Sequence, residues 1–177
     1  MTCTIHYTHD FTDAALQAAF RTYFGELGCC ITNWEGLFAA MGETGRDFTW
    51  AHRDDTGRVT RFISGFSADE RDHAFVLRDE EGEVAGFIQF TATPMDSWFF
   101  TAKCGFIREF WIRAELRRQG HGSALLRQAE DWLRQQGCLC VLLTTSTAPE
   151  FYRKHGYARQ TQITARNEEP VFTKMLA

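Results

Sequence analysis

Two hydrophobic periods divide the chain. Leu16, Phe20 and Phe24 recur at every fourth residue, which makes one stripe of a helix capped by Thr12 and running through Phe24. A short strand, Thr4 to Tyr7, precedes it, and the capping-box pattern Thr32-x-x-Glu35 predicts a second helix ending near Gly42. No period emerges from Glu43 to Arg71. There Asp54-Asp55-Thr56-Gly57 reads as a turn, and Phe48, Trp50, Phe62 and Phe66 call for burial. From His73 the pattern becomes that of strands. His73 to Asp79 and Glu83 to Thr93 flank the turn Glu80-Glu81-Gly82, Pro94 to Ser97 turns again, and Trp98 to Arg113 reads as one long strand bulged near Cys104-Gly105. An amphipathic helix follows from Ser123 to Gln136 and stops at Gly137. A strand covers Leu139 to Thr144. Thr147-x-x-Glu150, with Pro149 in the first turn, opens a helix that Gly156 ends, and Gln160–Ala165 with Val171–Met175 closes as a hairpin. Strand, helices, antiparallel meander, helix, strand, helix, hairpin is an α/β order within one domain of residues 1–177.

The turn between the long strand and the Ser123 helix carries the chemistry. Arg117, Arg118, Gln119, Gly120, His121, Gly122 and Ser123 occupy it. The first N–H groups of a helix lack intrahelical partners and carry partial positive charge. Gly120 and Gly122 let an anion approach the backbone, and two arginines add charge beside it. The arrangement suits a phosphate or pyrophosphate. It is not the dinucleotide fingerprint, which needs a third glycine where Leu125 stands. Nor is it the phosphate loop of nucleotide triphosphatases, because Ser123 follows Gly122 directly with no lysine.

Arg117-x-x-Gly120-x-Gly122 after a strand resembles the acyl-CoA pyrophosphate loop of the GNAT superfamily of N-acetyltransferases. Downstream, Ala148-x-x-Phe151-Tyr152-x-x-x-Gly156-Tyr157 is similar to a second block of that family, with Tyr157 in place of the usual Phe. The resemblance covers residues 74–177, the implied acyl-CoA core. Residues 1–73 would form the variable acceptor side. It implies the GNAT fold: a mixed, mostly antiparallel central sheet, flanked by helices, in which two parallel strands splay apart around the pantetheine arm. Those strands would be Phe106–Arg113 and Leu139–Thr144. It further implies acetyl-CoA as co-substrate, an amine acceptor, and coenzyme contacts from Phe110, Trp111, Ile112, the turn residues 117–123, Thr145 and Ala148. Phe110 and Ile112 would offer backbone groups to the pantetheine amides, with the Ile112 N–H near the thioester oxygen. Thr145 stands where relatives usually carry Asn.

Acetyl transfer to an amine requires removal of a proton from the amine, stabilisation of the thioester oxygen and a proton for the departing thiolate. Tyr152 matches the family tyrosine that supplies the last. Phe151 beside it points about 100° away and is better placed for packing. Glu109, three residues before Ile112, is the candidate base or acceptor-binding carboxylate, and pairing with Arg108 or Arg113 is the alternative reading. His121 would offer its backbone N–H to a phosphate, whereas His155, Arg153 and Lys154 read as solvated.

Charge sharpens the acceptor. Residues 1–107 hold 16 acidic and 8 basic side chains, whereas residues 108–177 hold 7 and 11. A polyanionic coenzyme on the basic half and a small cationic amine on the acidic half would use that division. The overall charge of −4, with no aromatic-basic repeat, argues against nucleic acid. Six cysteines show no C-x-x-C pair, so neither a metal site nor a disulfide frame is expected. With neither a signal peptide nor a membrane-length apolar run, a cytoplasmic location is expected. A homodimer stays open. So does a non-catalytic reading, in which the same fold binds acyl-CoA or a protein partner.

Overall fold

A computed structural model of the chain describes residues 2–42, 46–53, 59–67, 72–94 and 103–176, with backbone alone for 46–53, 59–67 and 93–94. The elements are β1 (Thr4–Thr8), α1 (Ala14–Glu26), α2 (Trp34–Gly42), β2 (Arg46–Arg53), β3 (Val59–Ser67), β4 (His73–Arg78), β5 (Val84–Pro94), β6 (Lys103–Ile112), α3 (His121–Gln135), β7 (Cys138–Thr144), α4 (Pro149–Lys154), β8 (Ala158–Gln160) and β9 (Val171–Met175). Seven strands form one sheet in the order β1-β4-β5-β6-β7-β9-β8, and β2 pairs only with β3. Within the large sheet β6 and β7 are parallel and every other pair is antiparallel. This is the mixed α/β sheet expected, with the parallel pair formed by the two strands named from the sequence.

Each face of the sheet carries its own core. Leu125, Leu126, Ala129 and Leu133 of α3 pack on Ile88, Phe90, Ile107 and Val141. Leu16, Phe20 and Phe24 of α1 form the stripe read from the sequence and pack with Phe38, Phe87 and Trp111 on the opposite face. At the centre, α3 lies close on β6. A Cβ at Gly105 would fall 2.5 Å from Leu133 Cδ1, so a side chain there would force Leu133 to shift.

Several boundaries differ from the sequence reading. Asp13, not Thr12, caps α1, accepting from Ala15 N–H (2.8 Å) and Leu16 N–H (3.3 Å). Thr12 is held by Asp10 instead, at 2.6 Å through its hydroxyl. Asn33, not Thr32, caps α2 through Gly36 N–H at 2.9 Å. The Thr147-x-x-Glu150 box does not form: Ala148 is the N-cap without a side-chain bond, and Glu150 pairs with Arg153. The helix after the glycine turn begins at His121, with Gly120 as its cap. The hairpin strand is Ala158–Gln160 rather than Gln160–Ala165. In β6 the extra residue against β5 is Arg108, since Gln89 faces Glu109 while Phe90 faces Ile107. Against β7 the extra residue is Leu139 of β7, since Lys103 faces Cys138 and Cys104 faces Cys140, so the bulge of β6 lies at Arg108 and not near Cys104-Gly105. The turn at Asp54–Gly57, residues 95–97 of the Pro94–Ser97 turn and residues 98–102 of the long strand lie outside the described residues.

Candidate active site

The glycine turn folds as its composition requires. Gly120 sits at φ 86°, left-handed backbone that favours glycine, and is the N-cap of α3 with no side-chain bond. The first bond of the helix runs from Ala124 N–H to the Gly120 carbonyl at 3.0 Å. The N–H groups of His121, Gly122 and Ser123 therefore precede the ladder. Gly122 is already helical. A Cβ there would lie 3.5 Å from the Phe151 ring and 3.8 Å from Phe110. Arg118 is exposed and also left-handed, at φ 60°. Arg117 turns back instead of facing the loop: its Nε donates to the Ile112 carbonyl at 2.7 Å, and its Nη2 reaches Glu26 at 3.1 Å. Gln119 donates to the Glu115 carbonyl at 2.8 Å. Ser123 pairs with His155 Nε2 at 2.9 Å, while His155 Nδ1 lies 2.7 Å from the Phe151 carbonyl.

Beside this turn the sheet opens. The register of β6 with β7 covers Lys103 to Phe106 and then ends, although β6 continues to Ile112. Arg113 N–H bonds the Ala85 carbonyl of β5 at 2.8 Å, so by alternation the main-chain groups of Phe110 and Ile112 face away from β5, toward the gap. The Ile112 carbonyl is taken by Arg117, which leaves its N–H as the group offered there. Thr145 and Ala148 stand across the gap. The Thr145 hydroxyl accepts from Ala148 N–H at 3.1 Å and fixes the entry to α4, so it bonds the adjacent backbone.

On the α1 face of β6 lies a carboxyl, Glu109. The Tyr23 hydroxyl of α1 donates to Glu109 Oε2 at 2.5 Å. Burial pushes the Glu109 carboxyl above the ordinary glutamate range, while the Tyr23 bond and the charge of Arg108 hold it down in part. Arg108 itself is committed to the buried Asp72, at 3.1 and 3.2 Å. Tyr152 is 7% exposed, with its ring against Phe151 and Tyr157. Burial first, and then the Glu109 charge, raise its phenol far above the normal value. The same field links Tyr23 to both groups. Glu109, Tyr23 and Tyr152 therefore act on one another across 129 residues of sequence.

Sequence reasoning missed Tyr23, because an aromatic in α1 reads as core and its partner lies 86 residues away. It also missed Gln89, directly opposite Glu109, whose signal was a lone amide inside the apolar run Val84–Phe90. The charge division has a structural use not foreseen. Glu26–Arg117, Asp72–Arg108 and Asp79–Arg113 each join the acidic half to the basic half, so part of the asymmetry is spent clamping α1 and β4 to β6 and its turn. Trp111 Nε1 adds a bond to Glu26 at 3.0 Å. Among the described residues no cluster of His, Cys, Asp or Glu could hold a metal ion, and no helix is long and apolar enough to cross a membrane. The six cysteines are free thiols.

The family described as "Acetyltransferase (GNAT) family" matches residues 37–157, which contain both the glycine turn and the α4 segment. An aminoglycoside N(6')-acetyltransferase type 1 from Klebsiella aerogenes is 28% identical over 116 residues, covering 63% of this chain and 75% of that protein. A GNAT-family acetyltransferase structure from Staphylococcus aureus shares the fold, with a TM-score of 0.64 and 10% identity over 99% of this chain and 100% of that one. N-acetylglutamate synthase from Neisseria gonorrhoeae, solved with coenzyme A and N-acetylglutamate, does so at a TM-score of 0.58 and 14% identity, over all of this chain and 36% of that one. With its sheet opened between β6 and β7 and its glycine turn at the head of α3, the chain belongs to the GNAT acetyltransferase family.

Proposed function

We propose that this protein transfers the acetyl group of acetyl-CoA to the primary amine of a small cationic acceptor. The observation that carries the reading is one strand, β6. Its backbone edge is open toward the glycine turn of α3, and its Glu109 carboxyl is held by Tyr23 on the other side. The N–H groups of His121, Gly122 and Ser123 receive the pyrophosphate, with Arg118 the exposed cation beside them. The N–H of Ile112 faces the thioester oxygen as it gains charge. Acetyl-CoA supplies the activated acyl group. The bond formed is amine nitrogen to acyl carbon, the bond broken is acyl carbon to sulfur, and one proton leaves the amine while one reaches the thiolate.

Glu109 is the group for the first proton or for the ammonium that carries it. A carboxyl raised by burial is a better base than an exposed one. Tyr23 holds Glu109 and is a positioning residue. Tyr152 stays protonated through the neutral range, because both burial and the Glu109 charge resist its ionisation. It is the donor for the thiolate. α1 and α2 line the acceptor side, and the aminoglycoside activity of the 28% identical relative supports a cationic, amine-bearing acceptor. The test is thiol release from acetyl-CoA with a panel of polyamines, amino sugars, amino acids and peptide N-termini. Release with cationic amines is expected. Thermal stabilisation by acetyl-CoA without release on any amine would instead support the non-catalytic binding module.

A further inference from the structure

The side-chain amide of Gln89 is completely buried, and neither its Oε1 nor its Nε2 has a hydrogen-bond partner. Two carboxylates near it are engaged. Glu109 accepts from Tyr23, and Asp72 accepts from Arg108. A buried amide without partners costs stability, and such groups in folded proteins mark ligand sites or ordered water. Its position is specific. Gln89 lies directly across β5–β6 from Glu109, and its other cross-strand neighbour is Ala74 on β4. By strand alternation it shares a face with Phe87, which packs toward α1, as does Ala74. Side chains directly opposed across an antiparallel pair begin about 5 Å apart. Glu109 is half-buried and Gln89 fully so, which puts the amide deeper than the carboxyl on the same face.

We infer that Gln89 is a specificity-determining residue that receives a hydroxyl borne by the acceptor on the carbon next to its reacting amine. The inference rests on the acetyltransferase reading above. The chemistry follows from what an amide lacks. Gln89 offers one carbonyl oxygen and one NH₂, so it needs a group that both donates and accepts. An ammonium only donates and would leave Nε2 unpaired. A carboxylate only accepts, would leave Oε1 unpaired and would lie beside the Glu109 carboxyl. A hydroxyl satisfies both atoms and is small enough for a buried position. The acceptor class is therefore a vicinal amino alcohol. Sites built to bond a hydroxyl reject the analogue without it, because the protein's own polar groups are then left unpaired.

The test compares ethanolamine with ethylamine, ethylenediamine and glycine by thiol release from acetyl-CoA, in the wild type and in Gln89→Met and Gln89→Leu. Met keeps the volume of Gln and removes both polar atoms. Wild type is expected to favour ethanolamine over ethylamine by at least about tenfold in kcat/KM, and over the diamine and the amino acid as well. Both variants are expected to bring the ethanolamine-to-ethylamine ratio near one. Their Tm in the absence of ligand is expected to rise, since an orphaned amide is replaced by an apolar side chain. A preference that persists in the variants overturns the proposal. So does a wild type indifferent to the hydroxyl. A lower Tm, or failure to fold, shows that water or a structural bond satisfies Gln89, and overturns it too. Absence of thiol release with all four amines and with the wider panel is a different failure: it removes the acetyltransferase reading and this inference with it.

Discussion

Gly120 and Gly122 are two residues apart in one turn, yet substitution to alanine should move stability in opposite directions. At Gly120 the backbone is left-handed, φ 86°, and an added Cβ meets nothing within 4 Å. The cost is conformational alone, about 1 kcal/mol or slightly more. At Gly122 the backbone is already helical, and a Cβ would lie 3.5 Å from Phe151 Cε2, an ordinary contact. There alanine removes glycine's backbone entropy and gains roughly 0.5–1 kcal/mol. The two variants should thus differ by about 2 kcal/mol. For a chain of this size that is roughly 4–8 °C in Tm, with Gly120→Ala below wild type and Gly122→Ala at or above it. Melts with and without acetyl-CoA then read the functional half. A ligand at a hundred times its Kd should add about 2.7 kcal/mol to the wild type. Gly122→Val, whose branches meet the Phe151 and Phe110 rings and the anion's approach, should lose that increment. The reasoning fails if Gly122→Ala is the less stable of the pair, or if Gly122→Val retains the full coenzyme shift.

Tyr152→Phe should lower kcat by about ten- to a hundredfold while the acetyl-CoA thermal shift stays near its wild-type size, because a proton donor acts in the transition state; full kcat would make Tyr152 a packing residue. Glu109→Gln should abolish most amine acetylation yet raise Tm at neutral pH. The folded-state pKa of Glu109 lies above the unfolded one, so its penalty sets in as pH rises through the carboxylate range; the Tm advantage of the variant should grow along that rise and vanish in acid, and a constant advantage would refute the linkage. Lys174→Met should destabilise by about 3 kcal/mol, since the buried Glu130 would keep only the Tyr157 hydroxyl at 2.9 Å after losing Lys174 Nζ at 2.7 Å; chemical denaturation measures it, and a loss under about 1 kcal/mol would show the pair to be screened.

The parts of the fold legible in the sequence are those decided locally. Gly120, Gly122 and Gly137 punctuate α3, and both glycine-bounded ends fell within two residues of the expected positions. Helix caps were less legible where two competent residues adjoin. Thr12 and Asp13 can both cap α1. The choice falls to Asp13 because Asp10 engages Thr12, and because Asp13 Oδ2 also reaches Arg78 at 2.5 Å, on a strand 65 residues away. The bulge at Arg108 depends on how β5 pairs with β6, which no local pattern encodes. The site divides the same way. The glycine turn is a contiguous string and could be read as one. The Tyr23–Glu109 bond and the Gln89 amide exist only because α1 and β5 converge on β6.

The opening between β6 and β7 has a consequence for the sheet as a hydrogen-bonded object. A sheet ordinarily has two edges, at its outermost strands. This one has a third, inside it, along residues 107–112 of β6. Main-chain groups there are ladder positions without a strand, in the middle of a structure whose neighbours on both sides are paired. Amide hydrogens of Phe110 and Ile112 should accordingly exchange with solvent faster than those of β5 beside them, in spite of their central place. A pantetheine arm, which carries amides along an extended chain, would complete the ladder as a missing strand does. Protection from exchange at the heart of this sheet would then depend on the bound arm, and the free protein carries an unpaired edge at its centre as well as at its rim.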